Sequence, residues 1–345
     1  MSSPQTAPQV PTPDQVVAQA ALGYVVSSCL SAAMKLRVPD LIGEGSVALS
    51  DLASKAGAVP ERLFRVLRVL ESVGIVQQDA PKSYRLTAAG AILRSDAPGS
   101  MAKMAEWIAD PLHFEVHTQF VKSLQSEATT FDIVKGEPVF QWMSRPENGE
   151  TAQLFYDTMT EFSRVCIPAM LEAYDFGQFK TIADVGGGHG AMLREMMKKH
   201  HQLNGFVADM PSVLQAAEAA ISADGLAERC RALPCDFFKS VPAGADAYFL
   251  KFIIHDWNDE QSVCILRNIR QVIPAHGKVI LAETVLDDTP QTQFGRLLDI
   301  EMMTFPGGKE RTEAEFASIF EQSGFRLSRI IPTKSPLNLI EAVPV

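Results

Sequence analysis

His255 stands in the run YFLKFIIHDWNDE, just beyond an apolar stretch of strand character, with Lys251 inside that stretch and Asp256 and Trp257 directly after the histidine. An imidazole takes a proton near neutral pH when a carboxylate orients its second nitrogen, so His255 is a candidate general base for deprotonating a hydroxyl. Two acids are placed to serve it: Glu283, which ends the run GKVILAE, is the first choice to orient or polarise the ring, and Glu310, in FPGGKERT, is the second. Upstream, TIADVGGGHG sets a short apolar segment before a glycine-rich turn. There Gly186, Gly187, Gly188 and Gly190 can let main-chain N–H groups approach a cofactor, while Asp184 can meet an ammonium group. Asp209 closes the next apolar run, 25 residues after Asp184, where an acid can receive both hydroxyls of a ribose. Asp236, followed by Phe237 and Phe238, joins an acceptor for an adenine amino group to apolar faces that can pack on the ring. GGGHG is not the full GxGxxG fingerprint and no Walker lysine follows it, which makes pyrophosphate cofactors and ATP second choices.

These residues need a scaffold that gathers strand ends. From Phe179 onward the chain alternates strand candidates (TIADVGG, NGFVADM, RCRALPCDFF, AYFLKFII, GKVILAET) with amphipathic helices, the rhythm of a parallel α/β layer. Open sheets of this kind place their sites at the carboxyl edge, and every candidate above falls there. The last segments, TEAEFASIFEQSGF and RLSRIIPTKSPLNLIEAVPV, supply a further helix and two edge strands with an antiparallel tail. The earlier half reads differently. After the Pro-rich start, VVAQAALGYVVSSCLSAAMKLRVPDLI has helical spacing, two short helices follow around Gly57–Pro60, and a hairpin is expected over Val76–Leu86, the order of a winged helix. Residues 100–173 read as mostly helical, and Phe155, Met159 and Phe162 share one side of the last helix, as pocket wall or ordinary core.

Taken together, DVGGGHG, the strand ending at Asp209, Asp236-Phe237-Phe238, KFIIHDWND and GGKERTEAEF resemble the S-adenosylmethionine-dependent O-methyltransferases of the plant caffeate and bacterial natural-product type, over nearly the whole chain. The resemblance implies an α/β fold, with a C-terminal Rossmann-like methyltransferase domain and a mostly helical N-terminal winged-helix dimerisation domain. It implies S-adenosyl-L-methionine as cofactor, S-adenosyl-L-homocysteine as product, and a homodimer whose N-terminal part helps close the partner's site. His255 becomes the catalytic base, bracketed by Glu283 and Glu310. Gly186 and Gly188 fall near the methionine part of the cofactor, Asp209 with Met210 beside it at the ribose, Asp236 and Phe237 at the adenine, and Lys251 and Trp257 along the adenosine. Asp256 has two open roles, steadying the HDW loop or contributing to the cofactor pocket, and is grouped with the acceptor-binding residues. Met303 and Phe305 join Phe155, Met159 and Phe162 as residues shaping the acceptor pocket. Plant members commonly carry Asn where this chain has Phe305, so a polycyclic phenol or another secondary metabolite is expected rather than caffeate, and Glu301 could answer an amine or cationic acceptor.

The expected organisation is a flexible leader at 1–14, the winged-helix dimerisation domain at 15–99, a helical linker and pocket region at 100–173, and the cofactor domain at 174–345. Composition is compatible with this, with 46% hydrophobic and 21% charged residues in 345. Lys plus Arg number 31 against 41 Asp plus Glu, a net charge of -10, so no nucleic-acid or anionic-membrane partner is expected. The resemblance implies a small-molecule acceptor. Five cysteines without a CxxC pair, no secretory signal and no spanning apolar run point to reduced thiols in the cytoplasm. No zinc or calcium spacing occurs and the proton transfer needs no metal, although His255 and Asp256 could contribute to an iron site if other ligands converged. The alternatives are C- or N-methylation, decarboxylation or hydroxylation on the same fold, or a winged-helix DNA-binding regulator.

Overall fold

The computed structural model describes residues 12–287, 289 and 293–345. Most of the leader expected at 1–14 lies outside them, and a helix already begins at Pro13, which takes its first turn without needing an N–H. The chain divides between Phe114 and Glu115 into two compact units. That boundary falls inside the stretch 100–173 that the sequence presents as one region.

The first unit is mainly helical. Pro13–Ala21 and Gly23–Lys35 meet at 44°, so the long apolar stretch read from the sequence is two helices followed by a short one, Val38–Ile42. No single helix among the described residues is long and apolar enough to cross a membrane; this bent pair passes only when both halves are taken together. Strands β1 (Ser46–Ala48), β2 (Val76–Ala80) and β3 (Ser83–Leu86) form an antiparallel sheet in the order β1-β3-β2 beside helices Leu49–Lys55 and Pro60–Ser72. Leu63, Leu67 and Leu70 recur at helical spacing and pack with Leu52, Val76 and Tyr84, whereas Arg62, Arg65 and Arg68 stay exposed on the outer face. The winged arrangement thus follows from an amphipathic helix covering a small hairpin.

The second unit opens with short helices and the 25-residue helix Gly149–Ala173, then forms β4 (Thr181–Val185), β5 (Asn204–Asp209), β6 (Cys230–Pro234), β7 (Ala247–Lys251) and β8 (Lys278–Glu283). The two-residue strands β9 (Val285–Leu286) and β10 (Arg311–Thr312) pair in parallel, and β11 (Phe325–Pro332) and β12 (Asn338–Pro344) complete a seven-stranded sheet, β11-β12-β8-β7-β4-β5-β6. Strands β4 to β8 run parallel, and β12 lies antiparallel between β8 and β11. The expectation of two edge strands at the end is corrected: only β11 is an edge. The central strands read as unbroken apolar runs because both faces are covered by helices, including Ala191–Lys199, Pro211–Ala223, Asp259–Val272 and Glu313–Gln322. Strand order across the sheet reverses between β4 and β7, so the carboxyl ends of these two parallel strands, at Val185 and Lys251, flank the crevice where such sheets bind ligands.

The inner position of β12 explains Glu341. Its buried carboxylate accepts from Tyr174 Oη at 2.6 Å, Lys278 Nζ at 2.9 Å and Arg329 Nη2 at 3.1 Å. Burial alone would raise its pKa, but these partners outweigh that and hold it at about 2. A carboxylate depressed on folding contributes stability above its unfolded pKa and loses it as pH falls through that value toward the folded one. We expect Glu341→Gln to lower unfolding free energy by about 2–3 kcal/mol at pH 7. In denaturant titrations the gap between wild type and variant should narrow from pH 5 downward; a constant gap would contradict this account.

Candidate active site at the carboxyl edge of the sheet

The glycine turn after β4 is built for close approach. Gly186, Gly188 and Gly190 have φ of 67°, 59° and 69°, the left-handed region that disfavours a side chain. A Cβ on Gly186 would sit 2.4 Å from Ile253 Cδ1, and one on Gly187 would sit 2.5 Å from Asp184 Cγ. At Gly188 a Cβ would meet nothing within 4 Å, so the backbone there is open to approach. Asp209 accepts from Gly188 N and Met210 N, each at 2.7 Å, which fixes its carboxylate at the end of β5. Burial raises its pKa and those two N–H groups oppose the rise. Met210 itself is half exposed at the start of the helix Pro211–Ala223.

Beneath the turn, Asp184 is almost wholly buried, and burial pushes its carboxyl to about 7 against the pull of Lys251. Burial correspondingly lowers Lys251, whose Nζ lies 5.2 Å from the centre of the Phe252 ring. On the other side Asp236 is partly exposed and held low, first by its 2.9 Å bridge to Lys239. Phe237, Phe238 and Trp257 form an edge-to-face cluster, with Phe238 and Trp257 centroids 4.7 Å apart, and Phe140 packs on Trp257 from a helix of the same unit. Trp257 Nε1 is buried without a hydrogen-bond partner among the described residues. A glycine cradle, a rim acid with fixed orientation, an aromatic cleft and an orphaned indole N–H together fit a nucleoside ligand carrying a polar tail.

His255 sits on the single 3-10 turn Ile254–Asp256 after β7, 6% exposed. Its Nδ1 is 2.7 Å from Glu310 Oε1 and 3.8 Å from Glu283 Oε2, while Asp256 Oδ1 is 3.5 Å from Nε2. The ranking of the two glutamates from sequence is thereby reversed: Glu310 is the direct partner of the ring. Glu283 instead accepts the backbone N–H groups of Ile253 and Ile254 at 3.1 and 2.9 Å and so pins the turn. Because a carboxylate only accepts, Nδ1 carries the proton toward Glu310 and Nε2 is left as the basic nitrogen in the neutral ring. Burial pulls the imidazole pKa down, but Glu283, Glu310 and Asp256 push it past its ordinary value to about 9. Burial likewise raises Glu283 to about 7 and Asp256 to about 6, each opposed by His255.

Several residues at this centre escape sequence reasoning. Thr284 Oγ1 donates to Glu310 Oε2, and Asp299 Oδ1 accepts the Glu310 N–H at 2.8 Å, so both ends of that residue are fixed. Phe252, with φ of 53°, stacks face to face on His255 at 4.6 Å and 9°, and Phe162 and Phe294 extend the stack. Arg311 is fully buried and donates to the carbonyls of Ile254, Trp257 and Lys309, to Ser262 Oγ and to Asp259. Its only sequence signal is its place beside Glu310 in KERT. Gly308 lies against the HDW backbone so closely that a Cβ would come 1.9 Å from His255 O, and Lys309 N donates to that same oxygen at 2.9 Å.

The acceptor-wall candidates separate. Phe162 joins the His255 stack, and Phe155 reaches Trp257 through Phe140, at 6.4 and 5.7 Å between centroids. Phe305 packs on Phe131, which packs on Trp142, and is 6% exposed. Met159 and Met303 are half-buried on their helices, and half-buried Glu301 lies 3.9 Å from His117. Tyr156, one residue from Phe155, places its ring 6.4 Å from His189 of the glycine turn.

The O-methyltransferase domain family matches residues 114–326, and the O-methyltransferase dimerisation domain matches residues 18–96. The chain belongs to the O-methyltransferase family. A phenazine O-methyltransferase of Lysobacter antibioticus is 34% identical over 330 residues, covering 96% of each chain. The crystal structure of LaPhzM matches this O-methyltransferase with a TM-score of 0.89 at 34% identity, over 96% of this chain and 99% of that one. NcsB1, an O-methyltransferase from neocarzinostatin biosynthesis solved with S-adenosylmethionine and 2-hydroxy-5-methyl naphthoic acid, gives 0.77 at 27% identity over 92% and 96% of the chains. The protein is an S-adenosylmethionine-dependent methyltransferase, and the cleft between the β4 and β7 ends has the features its cofactor requires.

Replacing Arg311 by Lys keeps the charge but not the planar fork that reaches two turn carbonyls, a hydroxyl and a carboxylate at once. The expected result is a lowered melting temperature and a fall in kcat of about 10–100-fold that exceeds any rise in KM, since the displaced group is His255. An unchanged kcat in steady-state assays would dissociate Arg311 from the catalytic turn.

Proposed function

We propose that the enzyme methylates a hydroxyl of a phenolic or polycyclic small molecule of secondary metabolism, with His255 as general base. The single observation that carries this is the buried 2.7 Å contact between His255 Nδ1 and Glu310, which leaves Nε2 as the proton-accepting atom of the neutral ring, the form whose share grows as pH rises toward about 9. When bound, S-adenosyl-L-methionine supplies a sulfonium methyl group open to attack by an electron-rich oxygen. In our reading Gly186 and Gly188 receive its methionine part with Asp184 below, Asp209 and Met210 the ribose, Asp236 and Phe237 the adenine, and Lys251 and Trp257 the adenosine flank. His255 Nε2 takes the acceptor hydroxyl's proton. Glu310 and Glu283 stabilise the resulting imidazolium, and Asp256, 3.5 Å from Nε2, sits where that charge is shared.

Phe162 and Phe252 give the acceptor side a flat aromatic wall continuous with the imidazole, which suits a planar ring better than an aliphatic alcohol. Phe155, Met159, Met303 and Phe305 shape the space around it, Phe305 through the aromatic core behind the wall. The relatives' ligands agree in class: one relative is a phenazine O-methyltransferase and another was solved with 2-hydroxy-5-methyl naphthoic acid, both planar ring systems. We further propose a homodimer formed through the first unit, whose leading helices leave Val16, Val17, Leu22 and Tyr24 more than half exposed in one chain. All five cysteines are free, which favours a cytoplasmic setting.

The test is an intact-mass and product-connectivity screen of phenolic and polycyclic acceptors with purified enzyme and methyl-labelled cofactor. Label on an acceptor oxygen is the expected outcome; label on carbon or nitrogen, or a product changed without label, would overturn the O-methyl reading. His255→Ala should lower kcat by about 10²–10⁴-fold while S-adenosyl-L-homocysteine affinity stays within about twofold of wild type.

A further inference from the structure

The cluster behind the imidazole holds more donors than proton abstraction uses. His255 Nδ1, a Glu283 oxygen and a Glu310 oxygen all lie within 4.8 Å of one another, on side chains that are 7%, 0% and 0% exposed. Orienting the base needs one carboxylate, and Glu310 supplies it. Glu283 spends Oε1 on the backbone of the turn, yet its Oε2 is buried with no hydrogen-bond partner among the described residues and is 3.8 Å from the same Nδ1. A buried anionic oxygen without a donor is costly, and aimed at a nitrogen it completes a three-atom concavity. The donors are also held rigidly: Thr284 and the Glu310 N–H bond to Asp299 fix one glutamate, two N–H groups fix the other, and Phe252 holds the ring. Ligand residues oriented by such outer partners are the usual setting of a metal site.

We propose that His255 Nδ1, Glu283 Oε2 and Glu310 Oε1 form a site for a divalent transition cation of the zinc class, and that this cation competes with catalysis. One imidazole nitrogen and two carboxylate oxygens are the protein share of a four-coordinate site with one open position. Bonds of about 2.0–2.2 Å place tetrahedral donors roughly 3.3–3.6 Å apart. The present separations from Nδ1, 2.7 and 3.8 Å, bracket that spacing, and all three donor atoms fall within 4.8 Å of one another, so side-chain rotation within the cluster completes the site. Magnesium, which demands six oxygens, is poorly matched. The exchange balances simply: the cation forms bonds to Nδ1 and the two oxygens, the proton on Nδ1 passes by exchange with solvent to Nε2, and nothing is oxidised or reduced. The neutral imidazole bound through Nδ1 holds its single proton on Nε2. It then has no lone pair for the acceptor hydroxyl, and methyl transfer stops.

Full-length, chelator-treated enzyme titrated with Co2+ should develop the visible absorption of a low-coordinate cobalt site at one equivalent, Zn2+ should displace the cobalt, and Mg2+ should do neither. His255→Ala and Glu283→Gln should each weaken Co2+ binding at least tenfold. Glu283→Gln retains an amide oxygen for the two backbone N–H groups, and unchanged S-adenosyl-L-homocysteine affinity reports that each variant is folded. Absence of stoichiometric cobalt binding by folded wild type, or affinities left within twofold in both variants, overturns the site. Zn2+ should abolish methyl transfer and a chelator should restore it. The inhibitory consequence rests on His255 being the base, whereas the titration does not. Stoichiometric binding with undiminished methyl transfer overturns the competition and the base assignment together.

Discussion

The active centre depends on one buried guanidinium. The turn carrying His255 is only three residues long: Trp257 N closes it on Ile254 O at 3.3 Å, and Ile254 O and Trp257 O each take a further donor from elsewhere in the chain. Arg311 provides both from a position 56 residues later than His255, with Asp259 balancing its charge and Ser262 taking a further donor. The same chain segment brings Lys309 N to His255 O and Glu310 to the imidazole. Two loops that are far apart in sequence thus fold as one body, and Gly308 is the residue whose missing side chain lets their backbones meet.

That body creates an electrostatic problem and its solution at once. Three carboxylates surround one imidazole in a space almost closed to water, and burial penalises every charge among them. The cluster is stable because Glu283 is met by two backbone N–H groups, Glu310 by Thr284 and the ring, and the imidazolium by all three acids. Protons in such a group belong to the set rather than to single residues. The raised values at His255, Glu283 and Asp256 are therefore one phenomenon, an excess of negative charge held where solvent cannot screen it.

The cofactor side uses a different device. Parallel strands deliver Val185, Asp209 and Lys251 to one edge, and the reversal of strand order between β4 and β7 opens the crevice there. The left-handed glycines keep that crevice from filling with the protein's own side chains, while Asp209 is pre-set by two N–H bonds before any ligand arrives. Preorganisation of this kind limits what must be ordered on binding.

Local pattern was sufficient for much of this. Apolar runs ending in Asp184, Asp209, Lys251 and Glu283, punctuated by glycines and amphipathic helices, gave the parallel layer and its functional edge, because strand and helix periods are written in adjacent residues. His255 and the rim acids were legible for the same reason, each being the first polar residue beyond an apolar run or part of a short motif. Tertiary structure alone decided which glutamate meets the ring, that Arg311 clamps the turn, that Phe252 lies against His255 with Phe162 stacked behind it, and that Phe305 packs into an aromatic core with Phe131. It also decided that β12 is an inner strand, since strand order depends on pairing between β8 and the chain terminus. These are contacts between residues tens of positions apart, set by how sheet edge, turn and loop pack in three dimensions, and no periodicity along the chain encodes them.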